Sequence, residues 1–177
     1  MKYDPDKRHR RSIRLKEYDY SQPGAYFLTI CTQNREMYLE SGACKAVLQS
    51  CWCEIPVRYP NVELDEFVIM PNHIHGIMIV GAQFIAPTSG NKRKSALRGA
   101  INLAPTIGQM IRSFKATSTR VIRRDILPEF GWQRNYYDHV IRSAHDLYKT
   151  RQYIINNPHK WEEDENNPGI ITKGITQ

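Results

Sequence analysis

The chain has 177 residues, 41% hydrophobic and 24% charged, with 25 Lys/Arg against 18 Asp/Glu and a formal net charge of +7. That length suits one domain with a proper core, no apolar run approaches the ~20 residues of a membrane span, and the opening "MKYDPDKRHRRSIRLKEYDYS" has no secretory apolar stretch. A single cytoplasmic domain over 1–177 is therefore expected, and the surplus of cations points to a polyanion partner, although a merely solvated basic surface has the same charge.

The first cations come early: residues 2–16 hold seven Lys/Arg, Arg11 and Arg14 among them, against two Asp. "GAYFLTICTQ" (24–33) follows the turn signal Gln22-Pro23-Gly24 and is rich in aromatic and β-branched residues, as a buried strand is. In "SGACKAVLQSCWCEIPVRYP" the spacing of Val47, Leu48, Cys51 and Ile55 predicts a helix, which Pro56 should kink or shorten. Its "CWC" spacing fits no zinc ribbon, so Cys31, Cys44, Cys51 and Cys53 are expected as reduced, mostly buried thiols.

"VELDEFVIMPNHIHGIMIVG" reads as two strands joined at Pro71-Asn72. His73 and His75, two apart at the start of the second strand, then point to one face. Residues 82–106 mix Gly, Pro, Ser and cations without a period and read as a basic, mobile insertion that would order on DNA. From Phe67 to Arg124 there is no acid and there are nine Lys/Arg. Within that stretch Ile107, Met110, Ile111, Phe114, Val121 and Ile122 form the apolar stripe of a helix whose other side carries Arg112, Lys115, Arg120 and Arg123.

"WQRNYYDHVIRS" (132–143) alternates as a strand, with Tyr137, His139 and Ile141 on one face. A last helix should begin at a Ser143/Asp146 capping box and stop at Asn157, before Pro158. The acidic "EEDE", with a tail from about 162 to Gln177, reads as surface. Strand, helix, two strands, helix, strand, helix is an α+β order, and it predicts a ferredoxin-like sandwich with helices covering an antiparallel sheet.

Two histidines on one strand face can bind a divalent cation through imidazole nitrogens, or can be a polar patch beside a turn. On the last helix Tyr153 and Asn157, four apart, share a face. They offer a phenol able to attack phosphorus and an amide oxygen able to complete a metal site. His139 is a reserve candidate for a ligand or a substrate contact, or a structural histidine bonded to backbone. Arg11, Arg14, Arg112, Lys115 and Arg120 are the candidate DNA-binding cations.

Five segments, "RRSIRLKEYDYSQPGAYFLTICTQ", "MPNHIHGIM", "SFK", "WQRNYYDHVIRS" and "YIINNPHKWEEDENNP", resemble in order those of the REP-associated tyrosine transposases, within the single-tyrosine HUH transposases. The resemblance implies that His73 and His75 ligate Mg²⁺ or Mn²⁺, that Tyr153 is the nucleophile, and that Asn157 stands where relatives often carry a glutamine ligand. It also implies nicking and rejoining of single-stranded or hairpin DNA through a 5′-phosphotyrosine, by a monomer or a homodimer. Two other classes keep the same residues in view: a domesticated DNA-binding protein that no longer cuts, and a metal-dependent hydrolytic nuclease in which Tyr153 is dispensable.

Overall fold

The computed structural model describes residues 23–81, 105–164 and 166–168. Arg11, Arg14 and all but the last two residues of the basic stretch expected at 82–106 lie outside the described residues. Pro105 and Thr106 were expected to belong to that stretch, but Thr106 instead caps a helix.

Four strands, β1 (Gly24–Cys31), β2 (Val62–Ile69), β3 (His73–Val80) and β4 (Tyr137–Ile141), form one sheet in the order β2-β3-β1-β4. Each neighbouring pair is antiparallel. With helices between β1 and β2 and between β3 and β4, this is the split βαβ arrangement of a ferredoxin-like sandwich. β4 is shorter than the alternation predicts, since ahead of it Trp132 makes only an isolated bridge to Thr32.

Helix α1 (Gly42–Cys53) is followed by the single turn α2 (Ile55–Arg58), with Pro56 in its first turn, where a missing N–H costs nothing. The buried line of α1 is Cys44, Leu48 and Trp52, one position round from the predicted Val47 and Cys51, which are half-buried. Of the four thiols only Cys44 is buried; Cys53 is exposed, and none of the four is in a disulfide.

Helix α3 (Ile107–Asp125) opens on a full capping box: the Thr106 side chain accepts from the Gln109 N–H, and the Thr106 N–H donates to Gln109 Oε1. It buries Ile107, Met110, Ile111, Phe114 and Ile122 as predicted, with Ser118 in place of Val121. Together α1 and α3 cover one sheet face, against Tyr26, Leu28, Ile30, Ile74 and Met78. At Gly76 an added Cβ would lie 2.8 Å from Trp52 Cη2 and closer still to Cζ2. Gly76→Ala is therefore expected to cost about 2–3 kcal/mol by overpacking, read from the urea midpoint.

The opposite face holds α4 (Ala144–Asn156), whose Ile154 packs with Ile77 and Ile141. Ser143 Oγ accepts from the Asp146 N–H, but the Asp146 carboxylate accepts from the Arg142 N–H and meets His139 rather than closing the predicted box on Ser143. Arg151 donates twice to Asp65 on β2, at 3.0 Å from Nε and 2.6 Å from Nη2, so α4 is tied to both outer strands. The α-helix stops where Pro158 predicts, with Asn157 as its C-cap (φ −58, ψ −42), but the chain runs on as a 3₁₀ segment, Asn157–Glu163, which has Pro158 in its first turn and a kink at Lys160.

Candidate functional site

Residues opposite one another in antiparallel strands share a face. Cys31 pairs with His73, while Thr29 pairs with both His75 and Tyr137. The α4 face thus presents the row Tyr137, Thr29, His75, and beside it the row His139, Phe27, Ile77. As the period of two predicts, His73 and His75 both turn to this face, and both are buried (0% and 2% exposed). Their Nε2 atoms stand 2.9 Å apart.

The proton position on His73 follows from its neighbours. Asn72 Nδ2 donates to the carbonyls of Arg35 (3.1 Å) and Asn166 (2.7 Å), which turns Asn72 Oδ1 toward His73 Nδ1 at 2.8 Å. The His73 proton is therefore on Nδ1, and Nε2 keeps its lone pair. Thr29 Oγ1 lies 2.9 Å from His75 Nδ1 and, as a hydroxyl, can either donate or accept, so it suits either tautomer of His75.

Burial pushes His73 down to about 4, with the Asp164 carboxylate opposing and Arg35 adding to the shift. Burial, helped by the neighbouring His73, pushes His75 down to about 3. Below pH ~6.5 the unfolded chain binds protons that the folded chain refuses, so this pair lowers stability as pH falls toward about 4. Chelator-treated protein should show a urea midpoint that drops over that window, and His73→Ala, His75→Ala protein should show a smaller drop.

Asp164 was not among the sequence candidates. It lies in the "EEDE" expected as surface, yet it is buried (8% exposed), with Oδ2 3.9 Å from His73 Nε2; Glu162 and Glu163 are exposed as expected. Its other oxygen accepts from the Asn166 N–H and Nδ2, and the Asn166 carbonyl in turn receives Asn72. The beginning of the expected tail is thereby folded onto the histidines. Ligand atoms of His73, His75 and Asp164 all lie within 4.8 Å of one another.

Asn157 is 4% exposed, and its Oδ1 is buried without a hydrogen-bond partner. Two imidazoles with suppressed basicity and the Asp164 carboxylate form a donor set that fits a divalent cation, and the orphaned Asn157 oxygen is a further buried acceptor. Tyr153 is 47% exposed; its hydroxyl stands 3.5 Å from His75 Nε2, and its ring meets His75 and Phe27 edge-on. His139 is not part of this cluster. Phe27 separates it from β3, and its Nε2 faces Asp146 Oδ2 at 3.1 Å, a side-chain partner rather than the backbone one considered above.

Of the candidate cations, Arg112 and Arg120 line a groove of about 900 Å³ beside α3, together with Arg123, Arg134, Trp132 and Tyr136. Lys115 also borders it, but its ammonium donates to the carbonyls of Gln133 (2.9 Å) and Asn135 (2.8 Å), and burial pushes it down to about 8. Gln33 and Gly131 close the groove at the end of the sheet where β1 finishes and β3 begins. This is the same end that carries His73.

Among the described residues, no helix is long and apolar enough to cross a membrane. No family model matches the chain. A structure described as a REP-associated tyrosine transposase bound to a REP hairpin is similar in fold, with a TM-score of 0.54 and 22% identity over 82% of this chain and 74% of that one. An uncharacterised protein of Haemophilus influenzae is 38% identical over 177 residues, 93% of this chain and 96% of that protein. At that identity and coverage the chain belongs to one family with the Haemophilus influenzae protein.

Proposed function

We propose that this protein nicks and rejoins single-stranded DNA through a 5′-phosphotyrosine, in a metal-dependent, transposase-like reaction on hairpin-bearing DNA. The observation that carries the reading is the Tyr153 hydroxyl, 3.5 Å from one member of a buried histidine pair. Asp164 and Asn157 line a cleft together with Tyr153. A fold shared with a hairpin-bound REP-associated tyrosine transposase supports DNA as the partner.

In the forward step Tyr153 Oη bonds to phosphorus, the P–O3′ bond breaks, and the departing 3′ oxygen takes up a proton while the phenol gives one up. One phosphoester replaces another, so attack by a 3′-OH can reverse the step without ATP. His73, His75, Asp164 and Asn157 would hold Mg²⁺ or Mn²⁺, which when bound supplies positive charge to the non-bridging oxygens. Asn72 keeps His73 Nε2 free of a proton, and Phe27 packs the edge of the tyrosine ring at 5.8 Å.

The basic groove beside α3 would carry the DNA backbone to the same end of the sheet. Replacing both Arg112 and Arg120 by Ala should weaken DNA binding and reduce the slope of log K against log[salt] by about 0.7–0.9 per lost phosphate contact. Titrations between 50 mM and 200 mM salt check this.

The reading itself is tested by incubating the protein with Mn²⁺ and hairpin DNA carrying single-stranded flanks from around its own gene, then denaturing in detergent. A protein–DNA band that survives denaturation and disappears with nuclease is expected. Cut DNA without such a band would mean hydrolysis, and bound but uncut DNA would mean a binding protein.

A further inference from the structure

Beside Tyr153, on the side away from Asn157 and Asp164, lies a second cleft of about 310 Å³, lined by Phe27, Tyr137, His139, Lys149, Thr150 and Tyr153. Tyr153 and Lys149 border both this cleft and the polar one that holds Asn157 and Asp164, so they form the ridge between them. On one side are the amides and carboxylates of Asn156, Asn157, Glu163 and Asp164, with Lys160. On the other are aromatic rings.

We infer that this second cleft binds one unpaired nucleobase of the DNA strand, the base next to the phosphodiester that Tyr153 addresses. Tyr137 is the stacking surface and Lys149 the contact to the adjoining phosphate. The inference rests on the strand-transfer reading and adds a substrate subsite to it.

Several observations support this occupant. Tyr137 is 49% exposed at the start of β4, and the sheet register sets it in the row Tyr137, Thr29, His75, so a base against its ring lies one strand from the histidines. Phe27, half-buried and already stacked on His75 with ring centroids 5.2 Å apart, gives the cleft a rigid apolar floor. The size is that of a single small planar group rather than a larger ligand. An aromatic platform with a cation at its rim is what a single-stranded base and its phosphate require. His139, held by Asp146 at 3.1 Å, also lines the cleft.

The test uses full-length Tyr153→Phe protein, so that binding is measured without cutting, and hairpin oligonucleotides in which each flank nucleotide in turn is replaced by an abasic site. One flank position is expected to weaken binding about tenfold or more, the scale of one lost base stack. Adding Tyr137→Ala should cost about the same with the intact flank and nothing further with that abasic flank, whereas Tyr137→Phe should restore the intact value. Absence of a sensitive position, or losses from Tyr137→Ala and the abasic site that multiply, would overturn the inference. Covalent adduct formation by the protein with Tyr153 intact, run in parallel, reports separately on strand transfer. A base-dependent cycle without any adduct would leave the pocket standing and remove only the nucleophile reading.

Discussion

Tyr153→Phe is expected to form no covalent adduct with DNA while keeping its fold and its affinity for hairpin DNA. The substitution removes only the oxygen. The ring's edge contacts with His75 and Phe27, at centroid distances of 5.2 and 5.8 Å, remain. The hydroxyl belongs to a half-exposed residue and approaches His75 at 3.5 Å, the outer limit of a hydrogen bond, so the stability change should stay within about 0.5 kcal/mol. Tyr136→Phe, Tyr137→Phe and Tyr148→Phe should still form the adduct, although Tyr137→Ala should form it more slowly if the base pocket is as proposed. Denaturing gels and mass spectrometry of the DNA-linked peptide are the measurement. An adduct mapped to Tyr137 or Tyr148 would displace Tyr153 from its role, and normal cleavage by Tyr153→Phe would put the protein among hydrolytic nucleases.

His73→Ala and His75→Ala should each reduce adduct formation by at least about 10³-fold, because charge stabilisation on a transferring phosphoryl group is worth several kcal/mol. DNA affinity should fall far less, since Arg112 and Arg120 lie on the groove beside α3. Both alanines open a cavity at a fully buried position, so folding must be checked in parallel by circular dichroism and the urea midpoint. Asp164→Asn is the gentler companion: it keeps the shape and one oxygen but removes the charge. It should weaken Mn²⁺ binding by about 10–100-fold, measured calorimetrically on protein without DNA. Because burial holds His73 near 4 and His75 near 3, protons should not compete for the Nε2 atoms until pH approaches 4, so Mn²⁺ affinity should vary little between pH 8 and 5. Unchanged Mn²⁺ binding in His73→Ala or His75→Ala protein would rule out the site.

How much of this was legible beforehand follows from the range over which each signal acts. The period of two along "HIHGIMIV" was enough to set His73 and His75 on one face, and the period of 3.6 along α4 set Tyr153 and Asn157 on another. The Ser143 cap was also a local signal, whereas Thr106 hid at the end of an irregular basic stretch. Pro158 marked the end of the α-helix but not the 3₁₀ segment beyond it, because a proline that ends an α-helix can also open the next turn, where its missing N–H is not needed.

The sequence by itself determined the α+β order of elements, the faces on which the candidate residues lie and the concentration of cations, because these depend on spacing and composition within single elements. The tertiary structure alone decided which faces meet. It packed α4 over the histidines rather than beside them and used Asn72, which the sequence offers only as a turn residue, to orient His73. It separated His139 from the cluster by one strand and spent Lys115 on two backbone carbonyls. It also folded Asp164 back from an acidic run onto His73. The physical reason is that burial and partner choice arise between elements distant in the chain. A carboxylate in "EEDE" is an ordinary solvated charge until the Asn72–Asn166 and Asn166–Asp164 hydrogen bonds draw it against a buried imidazole.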